Sequence, residues 1–149
     1  MRATPLTIVL LVLAFFGLAD AWYLSISALT DTALSCDLGA VLDGCNIVAK
    51  SSYSHFMGLP IAVYGVAFYA ALFVLAALLL VMPRKPLYMI LFRFSIIGAL
   101  LSVVFLGIQF LLIKALCIYC IASAVISFMV LVVARDLWKK QGQHPPAHT

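Results

Sequence analysis

Lys114-Ala-Leu-Cys117-Ile-Tyr-Cys120-Ile-Ala122 lies inside an apolar run from about Phe94 to Ala134, and its lysine is the only charge in that run. A bilayer crossing takes about 20 apolar residues, so the run reads as two spans joined by a tight connection at Lys114. The same stretch places a CxxC pair where the second of those spans begins. Thiols at i and i+3 share one face of a helix, close enough to close a disulfide. A helix N-terminus favours the thiolate through its macrodipole and its unpaired N–H groups. This is the pattern of redox chemistry at the rim of a membrane.

Composition supports the same frame. Of 149 residues, 66% are hydrophobic and 9% charged, with a mean hydropathy of +1.23. Soluble domains run at roughly half apolar and a quarter charged, so a soluble globular fold is excluded. The length allows four spans and little else, which predicts an all-α, integral membrane four-helix bundle forming a single domain over residues 1–149. The net charge of +4 is then read by position along the chain and not as a nucleic-acid signal.

The first apolar segment runs from Leu6 to about Ala28, interrupted only by Asp20. Its opening resembles a secretory signal with a small-x-small pattern at Ala19-Asp20-Ala21, but apolar character resumes through Trp22-Tyr23-Leu24 and reaches bilayer length, as an uncleaved span does. Asp20 is costly against lipid, so it either points into the bundle or is hydrated at the boundary. The second span opens at Gly58-Leu59-Pro60, with proline tolerated in its first turn, and continues to Met82. Pro83-Arg84-Lys85-Pro86 ends it. The third span is expected from about Phe94, with Arg93 snorkelling at its start, to Ile113, and the fourth from Ala115 to Ala134. Residues 141–149 read as a disordered tail.

Between the first two spans, Leu29 to Met57 is polar and contains Cys36 and Cys45. Asp43-Gly44 is a turn signal that brings Cys45 back toward Cys36. Val48 to Met57 is expected as a short helix along the surface, with Tyr53, Phe56 and Met57 at the interface. The loop is long for a connector, and its cysteines favour a function.

Orientation follows from the cations. With the N-terminus inside, the cytoplasmic segments hold seven cations, Arg2, Arg84, Lys85, Arg93, Arg135, Lys139 and Lys140, and the outer side only two, Lys50 and Lys114. The positive-inside rule therefore predicts cytoplasmic termini in a cell-membrane protein, with both cysteine pairs extracytoplasmic.

A disulfide made outside the cytoplasm needs an electron sink, because exchange among thiols only moves the oxidation around. A lipid-soluble quinone beside Cys117 and Cys120 meets that need. The loop pair Cys36/Cys45 would then collect electrons from a water-soluble partner and pass them on by exchange. Lys114, one turn before Cys117, adds positive potential that favours a thiolate. Two other uses of the same cysteines stay open: a four-thiolate zinc site, and a structural Cys36–Cys45 staple beside an idle CxxC. Ser95, Ser102 and Gln109 recur every seven residues on the third span and face the bundle. Gln109, nearest the outer end, is the candidate to meet a ligand head group. Cys120, Ser123, Ala124 and Ser127 form a small-residue stripe of the packing kind. His55 is either a proton relay or a plain loop histidine. Tyr64, Tyr69 and Tyr119 are expected as interfacial or bundle aromatics.

The ordered set Cys36, Cys45, Ser51, Gly58-Leu-Pro60, Tyr64-Gly65 and Cys117-Ile-Tyr-Cys120 resembles the vitamin K epoxide reductase family, in particular its bacterial and archaeal members. The resemblance extends from Gly17-Leu-Ala-Asp20 to the fourth span. It implies a four-helix bundle around a quinone, with Cys120 reacting with the quinone, Cys117 receiving electrons from the loop, and Ser51 near the active site. It also implies a thioredoxin-fold partner in the extracytoplasmic space that makes disulfides in exported proteins. Ala124 and Ile61 stand where vertebrate members carry a tyrosine and an asparagine, which argues against vitamin K epoxide turnover. A quinone or quinone-epoxide reductase is the alternative enzyme, and a thiol-ligated membrane metal-binding or assembly factor is the alternative from another class.

Overall fold

A computed structural model describes residues 4–34 and 44–142. Four long helices make the bundle: α1 (Thr4–Thr30), α3 (Ile61–Val81), α4 (Lys85–Ile108) and α5 (Ile118–Gly142). A short α2 (Gly44–Ala49) and a two-residue hairpin, β1 (His55–Phe56) and β2 (Leu59–Pro60), lie between α1 and α3. All four long segments are long and apolar enough to cross a membrane: Pro5–Thr30, Ile61–Val81, Lys85–Ile113 and Ile118–Gln141. The protein is a multi-pass membrane protein built as an all-α bundle.

Its exposed surface is apolar, with Phe15, Phe16, Leu100, Val103 and Val132 facing outward. That is the expected arrangement where the surrounding solvent is hydrocarbon. The interior instead holds small and polar residues that let helices approach. Gly17 on α1 is the contact point for the Tyr69 ring of α3, in space that a Cβ would fill. Leu10, Leu72, Tyr88, Leu91, Val130 and Leu137 fill the core further along the bundle.

Three elements differ from those expected. α4 begins at Lys85, because Arg84 is extended and Pro86 suits the first turn, so Arg93 lies well inside the helix with its side chain exposed on the outer face. α5 begins at Ile118 and not at Ala115, and continues past Ala134 to Gly142, carrying Lys139 and Lys140 in its last turn, where cations favour the helix dipole. The single surface helix expected over Val48 to Met57 is replaced by three short pieces: the end of α2, a 3₁₀ turn (Ser52–Ser54) and the hairpin. Serine hydroxyls account for part of this, since Ser51 donates to Val48 O at 2.8 Å and Ser54 donates to Ser51 O at 2.8 Å, in competition with a continuous helix. The hairpin turns through Met57 and Gly58, both at positive φ (52° and 84°), as a type I′ turn requires. Tyr64 on α3 secures it by donating to Phe56 O at 3.1 Å. Cys36, Asp43 and the tail from residue 143 lie outside the described residues.

Candidate redox site

The connection between α4 and α5 is built without glycine or proline. After Ile108 the backbone widens into a π-helical turn, Gln109–Ile113, and Lys114 reverses the chain in the left-handed conformation (φ 55°). Its amide and that of Ala115 both return to Gln109 O. π-helical turns recur at functional sites because they re-aim side chains. Here the turn points Gln109 inward, only 4% exposed, and its Oε1 accepts a 3.1 Å hydrogen bond from the buried amide of Cys117.

Cys117 is the N-cap of α5. Its sulfur accepts hydrogen bonds from the backbone N–H groups of Tyr119 and Cys120, the second and third residues of the helix. The Cys120 thiol donates to the same sulfur. These bonds, the Cys120 thiol foremost, outweigh burial and hold the Cys117 thiol down at about 7. Gln109 is also hydrogen-bonded to Cys120, so one side chain braces both members of the pair. Both cysteines are free thiols.

The loop reaches this point through a close backbone approach. Gly44 opens α2 against the backbone of Leu116, where a Cβ would collide with the Leu116 carbonyl. Cys45, the next residue, is fully buried and packs with Leu34 and Cys117 in one cluster, flanked by Leu24, Tyr119 and Cys120. Cys45 has a partner of its own and is not a free thiol. Asn46 pins the preceding segment, accepting from Leu34 N at 2.9 Å and donating to Leu34 O at 3.4 Å.

A cavity of about 480 Å³ opens beneath the cysteines, between α3, α4 and α5. Cys45, Ser51, Gln109, Cys117 and Cys120 all line it, so the fold gathers residues from three separate stretches around one chamber. Much of the remaining lining is apolar, including Phe68, Leu101, Phe105 and Leu106. Phe68 is itself clamped, stacked on Phe94 with centroids 4.9 Å apart and set edge-on to Tyr69 at 5.3 Å. Lys114 does not line the cavity. It is exposed, and the hydrogen bonds that lower the Cys117 thiol come from Cys120 and Tyr119.

The polar stripes divide by role. Ser95 and Ser102 bond back to Leu91 O (2.7 Å) and Gly98 O (2.9 Å) of their own helix, so of that stripe only Gln109 reaches the cysteines. The stripe after Cys120 does more than pack: the Tyr69 hydroxyl donates to Ser123 O at 2.7 Å and lies 3.0 Å from Ser123 Oγ and 2.9 Å from Ser127 Oγ. All three residues line the cavity, as do Ile61 and Ala124. Tyr69 as the centre of a polar cluster is not recoverable from the sequence, where it is one of several bundle aromatics. His55 is exposed beside Ser54, with Nδ1 at 2.9 Å from its hydroxyl, away from this cavity.

A largely apolar chamber of this volume, with a few convergent polar groups, is the ordinary form of a small-molecule site. It suits a flat, lipid-soluble ring with polar oxygens, for which Gln109 and the Tyr69–Ser123–Ser127 cluster offer hydrogen bonds. Residues 8–135 of the chain match the Vitamin K epoxide reductase family. No curated protein matches the chain.

Proposed function

The chain belongs to the vitamin K epoxide reductase family, and from that premise we propose that this member is a quinone-dependent thiol oxidase that drives disulfide formation outside the cytoplasm. Family membership already carries the oxidoreductase class and the use of quinones and thiols in general. The observation that supports the finer reading is the shared cavity: Cys45, Cys117 and Cys120 all line one largely apolar chamber.

In this reading a thioredoxin-fold partner reduces the Cys36/Cys45 disulfide, and the loop dithiol then reduces the Cys117/Cys120 disulfide by exchange through a mixed disulfide. Cys117, the N-cap, is the member whose sulfur the loop reaches, and Cys120, one turn deeper, faces the acceptor. A quinone bound in the chamber supplies a two-electron, two-proton acceptor. Gln109, Tyr69, Ser123 and Ser127 hold its oxygens, while Phe68, Phe105 and Leu101 exclude water. Ser51 contributes to the same lining. Lys114 adds positive potential at the rim. The positive-inside distribution of cations supports an orientation with both cysteine pairs extracytoplasmic and the termini cytoplasmic.

The test is quinone-dependent oxidation of a dithiol partner by the purified protein. Cys117→Ala and Cys120→Ala each abolish it in this scheme, and wild-type turnover by either variant overturns it. Substituting a quinone epoxide for the quinone separates thiol oxidase from epoxide reductase, and thiol counting with and without a chelator separates both from a metal-binding role.

A further inference from the structure

Asp20 is a carboxylate in the middle of a membrane helix, and its Oδ2 is buried with no hydrogen-bond partner. A buried acceptor left unpaired is costly to keep in a membrane helix. Its position suggests a task. On α1, Gly17, Asp20, Ala21 and Leu24 follow helical spacing along one stripe. Gly17 receives the Tyr69 ring, Ala21 lies 3.3 Å from where a Cβ of Gly65 would stand, and Leu24 packs on the cluster of Cys45 and Cys117. Asp20 therefore stands on α1 between the turn that meets the Tyr69 ring and the turn that packs on the cluster of Cys45 and Cys117. The titratable groups on the elements that pack against this part of α1 are Tyr69 from α3, Cys117 from the connection, and Tyr119 and Cys120 from α5. Among the described residues, no cation joins them.

We propose that Asp20 is the proton-holding residue of the CxxC couple, taking the proton that leaves Cys117 and passing it to the acceptor when the couple is oxidised. This rests on the thiol-oxidase reading above. The balance closes as follows. Cys117 S–H and the Asp20 carboxylate exchange one proton, giving the Cys117 thiolate and the Asp20 carboxylic acid. On oxidation the Cys117–Cys120 S–S bond forms, the Cys120 S–H bond breaks, and two electrons go to a quinone. The two protons that complete the hydroquinone come from Cys120 and Asp20, and Asp20 returns to the carboxylate. With no cation among the described neighbours to hold it ionised, Asp20 alternates with the thiolate so that during turnover the buried site carries one negative charge in place of two.

The test uses the full-length protein with Asp20→Asn and Asp20→Glu, reduced, with alkylation of Cys117 by iodoacetamide followed by mass spectrometry as a function of pH. Asp20→Asn moves the inflection of the Cys117 profile to lower pH, because the neighbouring negative charge is gone, and Asp20→Glu restores it. Superimposable wild-type and Asp20→Asn profiles overturn the proposal. In dithiol-to-quinone assays Asp20→Asn lowers kcat about a hundredfold with little change in KM for the quinone, the size of effect expected for a lost proton-transfer group. A kcat equal to wild type likewise overturns it. If the wild type itself shows no quinone turnover, the thiol-oxidase reading fails by that result alone, and the alkylation profiles still decide whether Asp20 shares a proton with Cys117.

Discussion

Gln109 and Cys117 are tied across the α4–α5 connection by a 3.1 Å hydrogen bond from the cysteine amide to the glutamine Oε1, both residues being almost fully buried. The bond closes the turn that places the N-terminus of α5, and with it the CxxC pair, at the cavity. Replacing Gln109 by Leu leaves a buried amide unpaired, which costs about 1–3 kcal/mol. The expected outcome is a lower unfolding midpoint in detergent together with slower alkylation of Cys117, since the cap geometry that favours its thiolate loosens. An unchanged midpoint removes the bond from the account of the site.

The Cys117 thiol is held at about 7 chiefly by the hydrogen bond from Cys120, with the amides of Cys120 and Tyr119 adding to it. Below that value the sulfur is mostly protonated and unreactive, and above it mostly thiolate, so its alkylation rate rises through pH ~7 and levels off at higher pH. Cys120→Ala removes the leading cause and moves the inflection upward, toward the roughly 8.5 of an ordinary thiol. An unchanged inflection would mean that the backbone N–H groups of the helix terminus, not the neighbouring thiol, set the value.

Lys114 combines a charge with a left-handed backbone, and two substitutions separate them. Lys114→Gly removes the charge and relieves the conformation, whereas Lys114→Ala removes the charge and keeps the strain, which costs about 1 kcal/mol for a residue with a Cβ. If the charge favours the Cys117 thiolate, both variants shift the alkylation profile to higher pH. A shift in the glycine variant alone assigns the effect to the turn.

Gly44 lets α2 touch the backbone of Leu116, and this contact carries Cys45 to Cys117. Backbone cannot move aside as a flexible side chain does. Gly44→Val therefore separates the two cysteine pairs, and it slows oxidation of a thioredoxin-fold partner about tenfold or more while sparing oxidation of a small dithiol that reaches Cys117 directly. Equal losses with both substrates would place the defect elsewhere.

Tyr69 joins α3 to α5 through Ser123 and Ser127. Tyr69→Phe keeps the ring against Gly17 and deletes only the hydroxyl, so stability falls by about 0.5–1.5 kcal/mol. KM for the quinone rises more than kcat falls if the cluster holds the acceptor. Titration of quinone at fixed dithiol reads the two apart.

The family assignment, the four spans and the cysteine pattern are legible in the sequence because each rests on something local: runs of apolar residues of bilayer length, a CxxC spacing, and the order of short motifs. The helix boundaries are less so. Lys114 takes a left-handed position that glycine or asparagine usually marks, and it leaves no signal. Serine hydroxyls break the expected surface helix into shorter pieces, a competition that composition alone does not rank.

What the sequence determined by itself is which segments enter the bilayer and which side chains carry redox chemistry, because transfer into hydrocarbon and thiol reactivity are properties of single residues and short windows. What only the tertiary structure decided is which of them meet. Cys45 and Cys117 are brought together because Gly44 permits a backbone contact with Leu116, and Tyr69 becomes polar machinery because α5 presents two serines to it. Asp20 acquires its neighbours because Gly17 admits an aromatic ring beside it. Each of these depends on distances between helices, which packing sets and no local pattern encodes.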